Sequence, residues 1–329
     1  MEPLRADDIV DRQRMRRKLT FWRIVSVLAA LAIIVALAAR FGTDRLGPQA
    51  RPHVANVSIA GTLLGDERML DLLEQIARSS RVAGVIVTID SPGGTTAAGE
   101  ALYHAVRDIA ADKPVVARID TLGASAGYMI ATAADHIVAR HTSIVGSIGV
   151  IVQYPNFSGL LESWGIEVTD IKSTPLKSEP SFFGEPPPGA ERMIRQMVLD
   201  SYQWFKDLVA ERRGFDAQTI DRLADGSVFT GRQGLQNGLV DALGGQDVAR
   251  AWLTEQGVDP DLRTVDWEPR TPSAASLLLD SIVARFARAT GLAPLSAPAV
   301  EALQERLFLD GLVSLWHAES PVSPAASNP

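Results

Sequence analysis

The stretch VVARIDTLGASAGY, residues 115–128, passes from a β-branched run into small residues around a single serine. It predicts a strand over 115–119 and a helix from Ser125 to Ala134, since Val and Ile suit strands and Ala-rich sequence suits helices. Ser125 then sits at a strand-to-helix turn, where the unpaired N–H groups of a helix N-terminus favour developing negative charge. Gly123, Ala124, Ala126 and Gly127 leave room for a substrate backbone beside it. A capping serine in tight helix packing would look the same. The neighbouring segments must therefore decide its meaning.

Upstream, VAGVIVTI (82–89) is a continuous apolar run, as expected for a strand buried on both faces. It ends in Asp90-Ser91-Pro92-Gly93-Gly94, read as a turn whose glycines can aim N–H groups at a ligand. A simple strand-to-helix turn is the plainer reading. A first strand at 54–59, helices at 67–78 and 97–111, and short β-like pieces at 136–139, 148–152 and 167–171 continue the alternation, with a short helix near 158–164. Residues 173–189 (STPLKSEPSFFGEPPPG) read as a loop, and 191–213 as a long amphipathic helix closed by Gly214. Asp225 to Gly245 is punctuated by glycines. The βα alternation predicts an α/β fold with a parallel sheet covered by helices.

Both ends differ from this middle. Residues 21–39 (FWRIVSVLAALAIIVALAA) are almost wholly apolar, with Arg23 as the one charge. At about 1.5 Å per residue they span roughly 28 Å, close to a bilayer core of about 30 Å. Arg12, Arg14, Arg16, Arg17 and Lys18 precede them, which predicts a cytoplasmic N-terminus and an extracytoplasmic main domain. A cleaved signal peptide is the alternative, since Ala36-Leu37-Ala38 resembles a cleavage site. The length of the apolar stretch and of its basic flank favours a retained anchor. The expected organisation is a basic cytoplasmic segment (1–20), an anchor (21–39), a linker (40–53), a catalytic domain (54–257) and a tail (258–329). Within the tail, 276–290 and 300–316 read as amphipathic helices and 321–329 as disordered.

Composition narrows the chemistry. A net charge of −7 argues against nucleic acid as a partner. The absence of cysteine excludes disulfides and thiol catalysis. No His-Glu-x-x-His or comparable cluster points to a metal, and no cofactor is expected. His53 and His104 read as surface residues, and Trp164, Trp204 and Trp316 as packing residues. One further segment has catalytic potential, KSTPLK at 172–177. Lysine has a reference pKa of about 10.4, so a lysine base must be desolvated until it loses roughly 3 units. Ser147 is a hydroxyl that could help to hold such a lysine. Two solvated surface lysines are the bland reading.

Three ordered strings, IDSPGG (89–94), ASAGY (124–128) and GSIGV (146–150), resemble the signal peptide peptidase A family of serine proteases in its short, single-repeat bacterial form. The resemblance covers roughly 54–243, including DGSVFTG (225–231) and GLVD (238–241). It implies a ClpP/crotonase-like fold of repeated ββα units and a Ser-Lys dyad. Ser125 falls on the nucleophile, Gly94 on the oxyanion-hole donor and Ser147 on the hydroxyl that orients the lysine. The Ser125 N–H is expected to complete the oxyanion hole. The base is Lys177, the second lysine of a Lys-Ser-x-x-x-Lys string, with Lys172 its competitor. Ala126 departs from the usual Gly-Gly-Tyr after the nucleophile; its methyl should be tolerated, though it could narrow the pocket. Signal peptides or other short apolar peptides released in the membrane are the implied substrates, and a ring-like homo-oligomer the implied assembly.

Rival readings share parts of this pattern. Gly123-x-Ser125-x-Gly127 also fits the nucleophile elbow of an α/β-hydrolase esterase. That enzyme needs a downstream acid and then a histidine, but His136 and His141 follow too closely and His317 lies in the tail. A crotonase-type enzyme would need cytoplasmic coenzyme A substrates, against the expected topology. A non-catalytic membrane scaffold would leave three matched segments idle.

Overall fold

The computed structural model describes residues 48–269 and 313–315, together with Lys18, Trp22 and Arg23. The rest of the expected anchor, the helix expected at 276–290 and the 321–329 end lie outside the described residues. Among the described residues, no helix is long and apolar enough to cross a membrane. The chain divides into two units, Met1–His53 and Val54–Pro329, so the division falls at the end of the expected linker.

The second unit is built on a mixed sheet of nine strands. In chain order its elements begin with β1 (His53–Leu63), α1 (Glu67–Arg78), β2 (Val82–Thr95), α2 (Thr96–Ala110), β3 (Val115–Ala124) and α3 (Ala126–Ala133). Then come β4 (His136–Ala139), β5 (Ile144–Gly146), α4 (Ser158–Ser163), α5 (Ala190–Arg213) and α6 (Ala217–Leu223). The last are β6 (Val228–Thr230), α7 (Gly231–Asn237), β7 (Ala242–Leu243), α8 (Gln246–Glu255), β8 (Thr264–Trp267) and β9 (Val313–Leu315). The main path runs β6-β5-β3-β2-β1-β8, with β4 on β3, β7 on β4 and β9 on β2.

The apolar run of β2 is explained by burial on both faces. Val85, Val87 and Ile89 join the main core with α1, α2, α3 and α5. Ile86 faces the other way, with Val116 and Val138 of neighbouring strands and Ala249 and Leu253 of α8. Period-2 alternation thus feeds two cores, and no position needs to be polar. Every residue of α3 is buried, and its two hydroxyls, on Tyr128 and Thr132, donate to the Leu239 and Met129 carbonyls.

Strand β3 forks. Its first half pairs in parallel with β4, from Val116 opposite His136 to Ile119 opposite Ala139. Its second half, Leu122 to Ala124, pairs in parallel with β5. The outer edge of β5 is in turn closed by antiparallel β6. Two expectations change beyond that strand. Residues 148–152 and 167–171, expected as strands, form none, apart from an isolated bridge at Ile151. Ile166, Val168 and Ile171 are exposed instead.

Other expectations change as well. The Ser91-Pro-Gly-Gly94 segment is not a turn, because β2 stays extended through Thr95. Residues 313–315, expected within a helix, are a strand on β2. The folded body runs past residue 257, since β8 pairs in parallel with β1. His53 is buried rather than exposed, its Nδ1 2.8 Å from the Arg51 carbonyl. Trp164 is 67 % exposed and packs no core.

Close approach fixes some glycines. A Cβ at Gly231, the first residue of α7, would lie 2.0 Å from the Arg140 carbonyl oxygen. Gly231→Ala should therefore destabilise the domain by about 1–3 kcal/mol, as overpacking does. Urea denaturation of the full chain should show this as a lower midpoint at unchanged slope.

Candidate active site

Ser125 links β3 to α3 in a conformation rare for a side-chain-bearing residue, with φ 56° and ψ −122°. Such a backbone costs about 1–3 kcal/mol and persists only where its surroundings enforce it. Two hydrogen bonds do so here. The Ser125 N–H donates to the Gly146 carbonyl at 2.8 Å, and its own carbonyl accepts the first helical bond from Met129 N–H at 2.9 Å. The residue is 1 % exposed.

The acceptor side is itself strained. Gly146 has φ 94° and Ser147 φ 53°. The Ser147 N–H donates to the Ser227 carbonyl at 2.8 Å, and the Ser227 N–H to Asp225 Oδ1 at 2.9 Å. The DGSVFTG string thus buttresses the residue that holds Ser125, through the β5–β6 pairing and this short chain of bonds. Sequence reading noted the string but not this role. Gly146, whose carbonyl carries the contact, was legible only as part of a motif.

The glycine pair lies alongside. Ser91 is level with Gly123 across the β2–β3 ladder, after a register shift at Ile89/Ser91. The Leu122 N–H donates to Asp90 Oδ1 at 3.1 Å, which ties the two strands at that irregularity. A Cβ at Gly127 would lie 2.8 Å from the Ser91 carbonyl oxygen, so only glycine lets the first turn of α3 come this near to β2. A Cβ at Gly94 would lie 1.9 Å from the Leu63 carbonyl oxygen, because the end of β1 crosses it. Ser91 Oγ donates to the Gly61 carbonyl at 2.7 Å and accepts the Gly93 N–H at 3.1 Å, fixing the strand just before Gly94.

Two expectations about the nucleophile's surroundings change. The Ser125 N–H, expected to face an oxyanion, is committed to Gly146. The N–H groups of α3's first turn, Ala126 foremost, have no intrahelical acceptor and are the donors that a helix start supplies there. The Ala126 methyl does not narrow a pocket. It is buried against α2, where a Cβ added at Gly99 would meet it at 2.9 Å.

The lysines separate by environment. Lys172 Nζ bonds Glu179 and lies 3.0 Å from Asp170 Oδ2. The Glu179 hydrogen bond, reinforced by Asp170, raises the Lys172 pKa above its ordinary value, so Lys172 stays charged and is a poor proton acceptor. Lys177 has no such pair among the described ion pairs and is exposed in the single chain. Ser147 is 8 % exposed.

Of the described histidines, neither His136 nor His141 takes the base's place. The β3–β4 register puts His136 level with Val116, at the opposite end of β3 from Ser125. At about 3.3 Å per residue that separation is roughly 20–30 Å. Its ring stacks on Trp252, 5.0 Å between centroids, and burial lowers its pKa. His141 is exposed. Among the described residues, no group of three or more His, Cys, Asp or Glu is placed to hold a metal ion.

Known proteins resemble this sequence. The family described as Peptidase family S49 matches residues 107–259. A Synechocystis protein named as a protease is 35% identical over 219 residues, 66% of this chain and 79% of that one. An Enterococcus faecium protein named as a signal peptide peptidase is 31% identical over 221 residues, covering 67% of this chain and 64% of its own. Protease 4 of Haemophilus influenzae is 28% identical over 212 residues, 61% of this chain and 34% of that one. The chain thus spans less than two thirds of the last two.

His136→Ala should remove the Trp252 stack at a cost of about 1 kcal/mol of stability. Labelling of Ser125 by a fluorophosphonate probe should stay within about twofold of the parent, whereas a histidine-based triad would lose it.

Proposed function

Because the chain belongs to peptidase family S49, the signal peptide peptidase A family of serine proteases, we propose that it is a membrane-anchored endopeptidase with a Ser125–Lys177 dyad. One observation carries this reading: Ser125 is held in a strained turn at the start of α3, where Gly123 pairs with Ser91 and Gly127 closes on the Ser91 carbonyl, three residues before Gly94. A serine at a helix start, close to free first-turn N–H groups and a glycine pair, is the arrangement that nucleophilic attack with a shared oxyanion hole requires. The family supports a ClpP/crotonase-like description of the α/β fold.

In this reading, neutral Lys177 takes the proton from Ser125 Oγ as the oxygen attacks a peptide carbonyl. The tetrahedral oxyanion is held by the N–H groups of Gly94 and Ala126. The protonated lysine gives its proton to the leaving amine, and water then releases the acyl-enzyme. Ser147 orients the lysine. Lys172 is disfavoured as the base by its ion pairs with Asp170 and Glu179.

A lysine base must be shielded from water, yet Lys177 is exposed in the single chain. The segment that bears it also exposes Phe157, Leu160, Trp164, Ile166, Ile171 and Phe183. An apolar surface of this extent supports a homo-oligomer in which a second copy covers the segment and dries the lysine. The apolar stretch at 21–39 and its basic flank support a single-pass anchor with the catalytic domain extracytoplasmic. Short apolar peptides, signal peptides among them, suit an enzyme so anchored.

Ser125→Ala and Lys177→Ala should each lose at least about 10³-fold in kcat. Lys172→Ala should stay within about fivefold. Activity remaining in Ser125→Ala would end the serine-protease reading. A dead Lys172→Ala beside a fully active Lys177→Ala would move the base to Lys172. Protease protection of membrane vesicles checks the topology, the catalytic domain being expected on the face away from the cytoplasm.

A further inference from the structure

The strand edge beside the glycine pair already has an occupant. Strand β9, Val313–Leu315, runs antiparallel to the end of β2, with Thr95 opposite Val313, Gly94 opposite Ser314 and Gly93 opposite Leu315. This is the ladder an extended peptide makes when it adds a strand to a sheet edge. A substrate whose carbonyl must reach both the Gly94 N–H and Ser125 needs the same backbone groups to fix its register. Two strands cannot share one edge.

We propose that residues 313–315 are a built-in competitor for the peptide-binding edge, a pseudo-substrate strand that must leave before a peptide can bind. The inference rests on the reading of Ser125 and Gly94 as catalytic machinery. The chemistry of the segment suits the role. Residues 312–316 read LVSLW, a short apolar string with a small residue opposite Gly94, the same class as the substrates proposed above. Residues 268–312 join β8 to β9, and at up to about 3.3–3.6 Å per residue they can bring the segment to this edge from the same chain. A tethered competitor acts at an effective concentration of order millimolar, and it lowers apparent substrate affinity by the fraction of chains in which the edge is open.

Ser314→Pro in the full chain removes one backbone donor and disfavours the ladder. Hydrogen exchange at Gly94 and Thr95 should speed up by about tenfold or more. KM for a short apolar reporter peptide should fall several-fold, with kcat unchanged within about twofold. A synthetic peptide of residues 309–319, added to Ser314→Pro, should inhibit competitively. Unchanged exchange and unchanged KM would overturn the proposal. So would rapid, Ser125-dependent cleavage of the parent chain at 313–315, since the segment would then be a substrate and not a resident competitor. Failure of the catalytic premise has a different signature: Ser125→Ala would remain active, and the proposal would fall with it whatever the exchange rates.

Discussion

The hydrogen bond from the Ser125 N–H to the Gly146 carbonyl, 2.8 Å long, joins the two halves of the site. It holds Ser125 at positive φ, and through Ser125 it sets where α3 starts. Its acceptor lies at the end of β5, which stays in place because β6 pairs along its outer edge and the Ser227 carbonyl accepts the Ser147 N–H. A residue far along the chain therefore helps to hold the nucleophile's turn. The same bond engages the Ser125 N–H, so in the proposed mechanism the oxyanion falls to Gly94 and the first turn of α3.

Around that contact the sheet works as a rigid frame. Both faces of β2 are buried, so its end cannot tilt without disturbing two cores. Asp90 and Ser91 pin the irregular step that carries β2 past the end of β3. Gly94 and Gly127 are small for different reasons, one because β1 crosses it and one because α3 approaches β2. Neither requirement concerns ligand binding directly, yet together they fix the end of β2 against β1 and against the first turn of α3. The geometry proposed for catalysis is in this way a consequence of packing.

The segment between β5 and α5 contrasts with this frame. Its apolar side chains are exposed, and its described hydrogen bonds are mostly local, such as Phe157 N–H to the Phe182 carbonyl. The expected base sits there, on the part of the chain with the least packing of its own. A nucleophile fixed by the core and a base on an unpartnered surface make assembly relevant to the proposed chemistry.

Much of the frame was legible in the sequence because it rests on short-range physics. Periodicity placed α1 and β4 to the residue, and the βα alternation anticipated a largely parallel sheet. The serine was recognisable from its strand-to-helix setting, and the glycine pair from its position at a strand end. What sequence could not decide depended on which partner took each hydrogen-bonding edge. Residues 148–152 and 167–171 have the composition of strands, yet they form none. Residues 313–315 have the pattern of a helix, yet they lie as a strand on β2. The destiny of the Ser125 N–H was likewise hidden, since its acceptor is a backbone carbonyl on a distant strand and every residue type carries one. Local propensity and motif spacing determined most of the central elements and singled out the candidate nucleophile; the competition of distant backbone groups for hydrogen-bonding partners, a tertiary matter, decided how the site is assembled.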